Sequence, residues 1–386
     1  MERAGFRTAA TIADGWRAER GERLKRTALD RADFAALAEG GYLGLAVPTD
    51  QGGAWTSPAG STRGIAGALR TLAAGDASPA LVAAMHPAVL SFWLANPVDG
   101  ADEWEAQRRA VFATAADGAQ WGTVTSEPGS GGDVARTSTV ARPADEGAVD
   151  VEIPGRRYHL SGDKHFGSGT GVCSYMITTA VPDGEDEASA FFLDTRALTT
   201  DDHLDGFTVV GEWDGIGMAA TQSHAVRLDG CPAIRLEYPG PFAELLFGAA
   251  PVNLAVFTGV VLGIVDEAMA DASARLAPRS ADLRAYEQVE WSRASAEHWL
   301  MEQAFEGMLR AIEDGDRTEA LRAAQRGKVS AAELAESVLG RVARTVGGGT
   351  FSRRSPFAAW YEDVRALGFL RPPWGLAFDG IYATSF

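Results

Sequence analysis

At 386 residues with 46% hydrophobic composition, the chain can bury large cores and divide into two or three folding units. A formal charge of −17 repels phosphate backbones and no basic stripe offsets it, which argues against nucleic-acid binding. Two cysteines are too few for a disulfide framework, no Cys/His cluster has zinc-ligand spacing, and the N-terminus lacks the apolar stretch of a signal peptide or membrane span, so we expect a cytoplasmic protein without metal or membrane partner.

In chain order, residues 1–118 read as an N-terminal α-helical domain, rich in Ala and Leu with short turn clusters. Phe34 to Glu39 running into Gly40-Gly41 predicts a helix closed by glycine. Gly64 to Leu94 predicts helix interrupted at Asp76 to Pro79 and at Pro87. Residues 119–236 change to short β-rich runs. Val149, Val151 and Ile153, then Pro154-Gly155, then Tyr158 and Leu160 alternate as a hairpin. Tyr175 to Val181, Ala190 to Leu193, Phe207 to Val210 and His224 to Leu228 add strands without helices of crossover length, which predicts a middle antiparallel β-barrel. In 237–386 the helical period returns: Val261, Ile264, Val265, Ala268 and Ala272 share one face, as do Ala331, Leu334, Ala335, Val338 and Val342. Such stripes are core positions. The fold class is α+β multidomain.

Two segments offer chemistry. In Thr123 to Val134, Gly131 and Gly132 let backbone approach a flat ligand while Thr125 and Ser126 present hydroxyls. In Leu160 to Gly169, Phe166 and Ser168 stand two residues apart on one side of an extended backbone, where a ring can pack on an isoalloxazine and a hydroxyl can donate to its N5. Taken alone, the first is equally a surface turn and the second an edge strand with an ordinary buried Phe. Gly167 to Gly171 imitates a dinucleotide loop but leads into a strand, not a helix, so it is no Rossmann fingerprint. Gly347-Gly348-Gly349 ends a helix and reads as a C-terminal cap.

These segments, in this order, resemble the acyl-CoA dehydrogenase superfamily over nearly the whole chain. Leu43 to Pro48 with Gly52-Gly53 is similar to its N-terminal glycine turn; Ser126-Glu127-Pro128-Gly129 with Asp133-Val134 resembles "TEPGxGSDV"; Gly162 to Ser168 resembles "GxKxWIT". Trp213 to Leu228 resembles "GxGxxxTxSxDVxF", and Arg344 to Phe351 with Arg365 resembles "QxxGGxGY…RDxR". The resemblance implies an N-terminal helical domain, a middle β-barrel, a C-terminal four-helix bundle, FAD between barrel and bundle, and a homodimer or homotetramer. It also implies that Thr125 and Ser126 hold the flavin's pyrimidine edge, and that Thr123, Gly131, Gly132 and Gly167 of the same segments are cofactor-binding. Phe166 replaces the packing Trp, Ser168 the Thr at N5, Gly347 and Gly348 approach the adenosine half from a neighbouring subunit, Gln288 matches a conserved-pattern Gln, and either Arg275 or Arg279 serves the diphosphate.

Departures bear on activity. An acyl-CoA dehydrogenase removes an α-proton with a Glu facing the flavin. Counting from Gly347-Gly348, that position falls at or near Arg371, whose guanidinium cannot act as a base at neutral pH. The alternative site falls near Ala249, its CoA-contacting neighbour near Ala250, and the Ser that touches the thioester arm corresponds to Gly132. The expected function is therefore a flavin-dependent oxidoreductase, using bound FAD or reduced FMN or FAD as co-substrate. It would activate oxygen on a small organic substrate as the superfamily's monooxygenases do. His86 lies where some such relatives present a catalytic His, or is a histidine satisfied at a helix end. The alternatives are an acyl-CoA dehydrogenase acting on an acyl thioester with a carboxylate displaced to Glu362, Asp363 or Asp379, and a non-catalytic subunit paired with a sibling chain carrying the Glu.

Overall fold

Side-chain caps set three of the helix starts in the first third of the chain. In the computed structural model, which describes residues 2–145, 147, 152–200 and 203–385, the helices are α1 (Glu2–Ala18), α2 (Arg20–Arg23), α3 (Arg31–Glu39), α4 (Pro58–Gly75), α5 (Ala77–Leu94) and α6 (Asp102–Ala116). Asp30, Ser57 and Asp76 each accept a backbone N–H of the first turn of α3, α4 and α5. Gly41, at φ +79°, carries the chain out of α3 as expected. Asp76 does separate α4 from α5, but α5 runs through Pro87 without a break. Nearly every residue of α5 is buried, so tertiary packing outweighs the local cost of an interior proline, roughly 3 kcal/mol.

The strands are β1 (Trp121–Thr123), β2 (Val140–Pro143), β3 (Arg157–Gly167), β4 (Tyr175–Pro182), β5 (Ser189–Asp194), β6 (Phe207–Gly211) and β7 (His224–Arg235), with a short α7 (Arg196–Thr200) after β5. The pairings β4–β2–β3–β7–β5–β4 return to their start, so the sheet closes into a barrel and leaves no free edge around that circuit. Two features differ from expectation. β4 pairs parallel with both β1 and β2, so the barrel is mixed, not wholly antiparallel. The hairpin's first arm is β2: Val149 and Val151 lie outside the described residues, and Ile153 is buried but not in a strand.

Beyond the barrel come α8 (Phe242–Leu276), α9 (Ala285–Asp314), α10 (Arg317–Val346), α11 (Phe357–Val364), α12 (Ala366–Phe369) and α13 (Trp374–Ala383). Only three of these are long, so the expected four-helix bundle is completed by α4, which packs against α8 and α9. Glycines on α8 allow it: a Cβ on Gly263 would meet the Arg70 carbonyl at 2.0 Å, and one on Gly259 the Ala66 carbonyl at 2.7 Å. Bundle and N-terminal helices therefore share one core. Its link to the barrel is aromatic. Trp93 of α5 stacks on Trp104 of α6 and meets Trp121 of β1 edge-on at 5.5 Å, and Trp121 stacks on Tyr175 of β4 at 4.7 Å. Truncating one of these fully buried rings to Ala costs about 3–5 kcal/mol. α5 and α8 are long and apolar enough to cross a membrane, yet both are mostly buried inside the protein, as core helices are.

Candidate active site

The two chemistry-bearing segments meet at one rim of the barrel. Val124 is pinned at both ends of its peptide, its N–H donating to Ile177 and its carbonyl accepting from Thr178 Oγ1 at 2.7 Å. Two residues on, Ser126 forms a bridge with His165, whose N–H donates to its carbonyl at 2.8 Å. Thr125 and Ser126 thus lie beside the strand end that carries Phe166. Below them, Glu127 turns inward and accepts from the Lys164 ammonium, the Thr137, Ser138 and Thr139 hydroxyls and the Ser138 N–H. Burial opposes a charge there, but Lys164 and the hydroxyls outweigh it and hold the Glu127 carboxyl at about 2. Burial pushes Lys164 down to about 8, and Glu127 works against that. This pair fastens the loop to β3. Its carboxylate is fully engaged and does no chemistry.

Phe166 falls at a register shift in β3, between Lys164 and Gly167, and sits at φ +57°. Left-handed backbone for a bulky residue costs on the order of 1–3 kcal/mol. The strain leaves the ring 57% exposed, braced edge-on by Trp213 and His165. An exposed, braced aromatic beside two hydroxyls suits a flat heteroaromatic ligand.

Ser168 ends a chain of three hydroxyls. Thr221 Oγ1 lies 2.8 Å from the Met218 carbonyl, Ser223 Oγ lies 2.7 Å from Thr221 Oγ1, and Ser168 Oγ lies 2.6 Å from Ser223 Oγ. Each hydroxyl has one proton. The Met218 carbonyl also accepts the Trp213 Nε1–H and the Thr221 N–H, so the three hydroxyls form one linked chain whose protons can run in either direction.

Arg371 reaches the same rim. Its Nη1 donates to Thr125 Oγ1 and its Nη2 to Ser126 Oγ, while its Nε is buried without a hydrogen-bond partner. Burial lowers its guanidinium to about 10, and it stays cationic at neutral pH. The turn bearing it is docked twice: buried Lys328 of α10 donates to the carbonyls of Leu370 and Pro372, and Pro373 fills the space over Gly132, where a Cβ would come within 2.6 Å of Pro373 Cγ. Gly132 admits the tail of the chain rather than a ligand. Gly131, at φ +65°, has open space about it, and Thr123 Oγ1 lies 3.3 Å from Thr125 Oγ1. Gly167 remains in the ladder opposite His224.

Other sequence-predicted residues lie apart. His86 is fully buried; one ring nitrogen lies 3.1 Å from the Leu43 carbonyl and Nδ1 accepts the Trp121 N–H. Burial pushes it down to about 4, and it joins the middle of α5 to β1 as a neutral ring, satisfied by hydrogen bonds but not at the helix end expected. Arg275 pairs with Asp271 and covers the Phe357 ring, whereas Arg279 donates to the Thr345 carbonyl, two residues before Gly347. Gln288 is exposed and donates to the Leu283 carbonyl, and Gly348 is exposed beside Gly347. Of the nearby carboxylates, Glu362 pairs with Arg365, Asp379 is exposed, and Asp363 accepts the Met218 N–H at 2.6 Å. Among the described residues none bonds to Thr125 or Ser126. Sequence reasoning saw Arg371 only as a missing Glu, and gave Thr221, Ser223 and Lys328 no role; a lysine in the midst of an apolar helix stripe was the signal for the last.

The donor set fits a flavin: two hydroxyls bonded to a guanidinium, with an open aromatic face next to them. A closed barrel between helical regions has the acyl-CoA dehydrogenase-like fold. No family model matches the chain. It is 28% identical over 364 residues to the amino sugar nitrososynthase DnmZ of Streptomyces peucetius, covering 88% of this chain and 82% of that protein. Its structure is similar to the nitrososynthase of Micromonospora carbonacea var. africana, with a TM-score of 0.81 at 22% identity over 100% of this chain and 96% of that one. FMN-bound TdsC of Paenibacillus sp. A11-2 gives 0.79 at 19% identity, over 98% and 96%.

Proposed function

We propose that the chain is a flavin-dependent monooxygenase that uses reduced FMN and dioxygen to oxidise nitrogen on a small polar amine, with an amino sugar as the favoured substrate class. The carrying observation is Arg371: the place where α-proton abstraction needs a carboxylate holds a guanidinium bonded to Thr125 and Ser126. When bound in reduced form, the flavin supplies two electrons to oxygen; one oxygen atom goes to the substrate and the other leaves as water. Thr125, Ser126, Arg371, Phe166 and Ser168 would hold it. The similarity to DnmZ supports the amine, and FMN in TdsC favours FMN over FAD. Of the residues matched to an adenosine site, Gln288 and Gly348 are exposed and Gly347 is half-buried, and they would serve only FAD in an oligomer.

Tyr286, Val289, Trp299 and Leu300 leave an apolar face exposed on α9, which supports a homodimer or homotetramer. A cytoplasmic location follows from a reading that draws reduced flavin from a soluble reductase. Incubation with FMN, a flavin reductase and NADH tests the function. An amino sugar should gain one oxygen by mass, then yield the nitroso product after a second turnover. Anaerobic bleaching of bound flavin by an acyl-CoA would instead establish dehydrogenation, and product formation only with a co-purifying sibling chain would establish a subunit.

A further inference from the structure

Resting on the flavin reading, we propose that Asp363 is a positioning residue for the flavin ring: it holds the backbone of Met218, to which Trp213 is anchored as it braces Phe166. Among the described residues, Phe166, Met218 and Gln222 are the non-glycine residues at positive φ, and all three belong to this rim or to the loop behind it. Such backbone is costly for a residue with a side chain and persists only where its surroundings hold it. For Met218 and Gln222 those surroundings are groups from α11 and from the N-terminal region.

Met218, buried and at φ +50°, is held at both ends of its backbone. Its N–H donates to Asp363 Oδ1 at 2.6 Å, and its carbonyl accepts the Trp213 Nε1–H at 2.9 Å and the Thr221 N–H at 3.1 Å. The carboxyl and the indole thus grip the same residue, and the indole meets the Phe166 ring edge-on at 6.1 Å. Two glycines make room. A Cβ on Gly217 would run into the Glu362 carbonyl, so the loop lies directly on α11, and one on Gly215 would run into the Trp213 ring, so the indole folds back over its own loop. Gln222 fastens the far end of the loop by accepting the Leu29 N–H at 3.0 Å. Among the described residues, no hydrogen bond joins Asp363 to Thr125, Ser126, Phe166 or Ser168, so its influence passes through Met218 and Trp213. The stretch that carries Asp363 goes on to Arg371, and one short segment of chain therefore holds both the aromatic brace and the hydroxyl loop.

Anaerobic titration of the purified full-length protein with oxidised and with photoreduced FMN tests this, read by affinity and by the visible circular dichroism of the bound ring. Asp363→Ala should weaken FMN binding by about fivefold, the scale of one oriented aromatic contact, and should alter the dichroism. Asp363→Asn keeps an acceptor for Met218 and should restore both. Trp213→Phe keeps an aromatic ring, loses the indole N–H and should move both readouts in the same sense. The double variant should lose no more than the larger single loss, because both changes act through one residue. Wild-type affinity and dichroism in folded Asp363→Ala overturn the proposal, as do fully additive losses; where Asp363→Ala fails to fold, the same wild-type result in Trp213→Phe overturns it. Hydrogen exchange of the ligand-free protein separates this link from the flavin reading. Either single variant should accelerate exchange in 165–169 as well as in 212–223, and unchanged protection of 165–169 overturns the positioning role. Binding of neither form of FMN by wild type overturns the flavin reading itself, whatever the exchange shows.

Discussion

The ammonium of Lys328 lies 2.7 Å from the carbonyl of Pro372, and a lysine in the middle of α10 thereby holds the turn that aims Arg371 at the barrel rim. Lys328 is 1% exposed and lies over the Trp374 ring, so its alkyl stem packs as a hydrophobe while its head serves two carbonyls. Lys328→Met keeps most of the packing and loses both bonds, leaving carbonyls unpaired at a cost of about 1–3 kcal/mol. Hydrogen exchange should accelerate in peptides spanning 366–383 while barrel strands keep their protection. Uniform acceleration across the chain would contradict this local role.

Gly132 and Gly131 separate backbone strain from steric contact. Both sit at positive φ, where an added Cβ costs roughly 1–2 kcal/mol, but only Gly132 lies under Pro373. Gly132→Ala should lower the melting temperature more than Gly131→Ala and should loosen the tail as Lys328→Met does. Equal losses would show that Pro373 does not depend on the missing side chain.

Breaking the Glu127–Lys164 pair should be costly, because the surviving charge stays buried beneath the loop. Lys164→Met is expected to lose about 3–5 kcal/mol in denaturant unfolding, and Glu127→Leu with Lys164→Met should recover much of it. Acid acts on the same contact. The Glu127 carboxyl is held near 2, below its ordinary 4.5, so its contribution is complete above about 4.5 and is lost as pH falls toward 2. The Glu127→Gln variant should lose less stability over that window than wild type.

Asp363 titrates in the other direction. Burial raises it to about 7 against the opposing Met218 N–H, so the protonated form is favoured in the fold. Its contribution is full below about 3.8 and is lost as pH rises through 7. Asp363→Asn retains an acceptor for Met218 and removes the titration, so its melting temperature should change less than that of wild type between pH 5 and pH 8, by on the order of a few degrees. Identical profiles would remove Asp363 as the source.

The order of helical, β-rich and helical segments was legible because periodicity of 3.6 or 2 is a local property. Glycine closing α3, the Gly347 cap and the apolar stripe on α8 are local as well. The loop carrying Thr125 and Ser126 and the segment carrying Phe166 and Ser168 could be singled out by residue type. Pro87 misled, because its local cost is outweighed by burial on all sides of α5. The parallel contacts of β4 were hidden, since strand partners are chosen by barrel closure and not by the strands' own patterns.

The sequence by itself determined the elements, the candidate hydroxyls and ring, and the absence of a Glu at position 371. Only the tertiary structure decided what those groups can do. Which groups share protons with Ser168 depends on Ser223 and Thr221, more than fifty residues away in the chain. Whether Arg371 faces the hydroxyls or solvent depends on Lys328 and Pro373. Residue type sets how many protons a group carries; the direction each one points is set by partners that only folding brings within 3 Å.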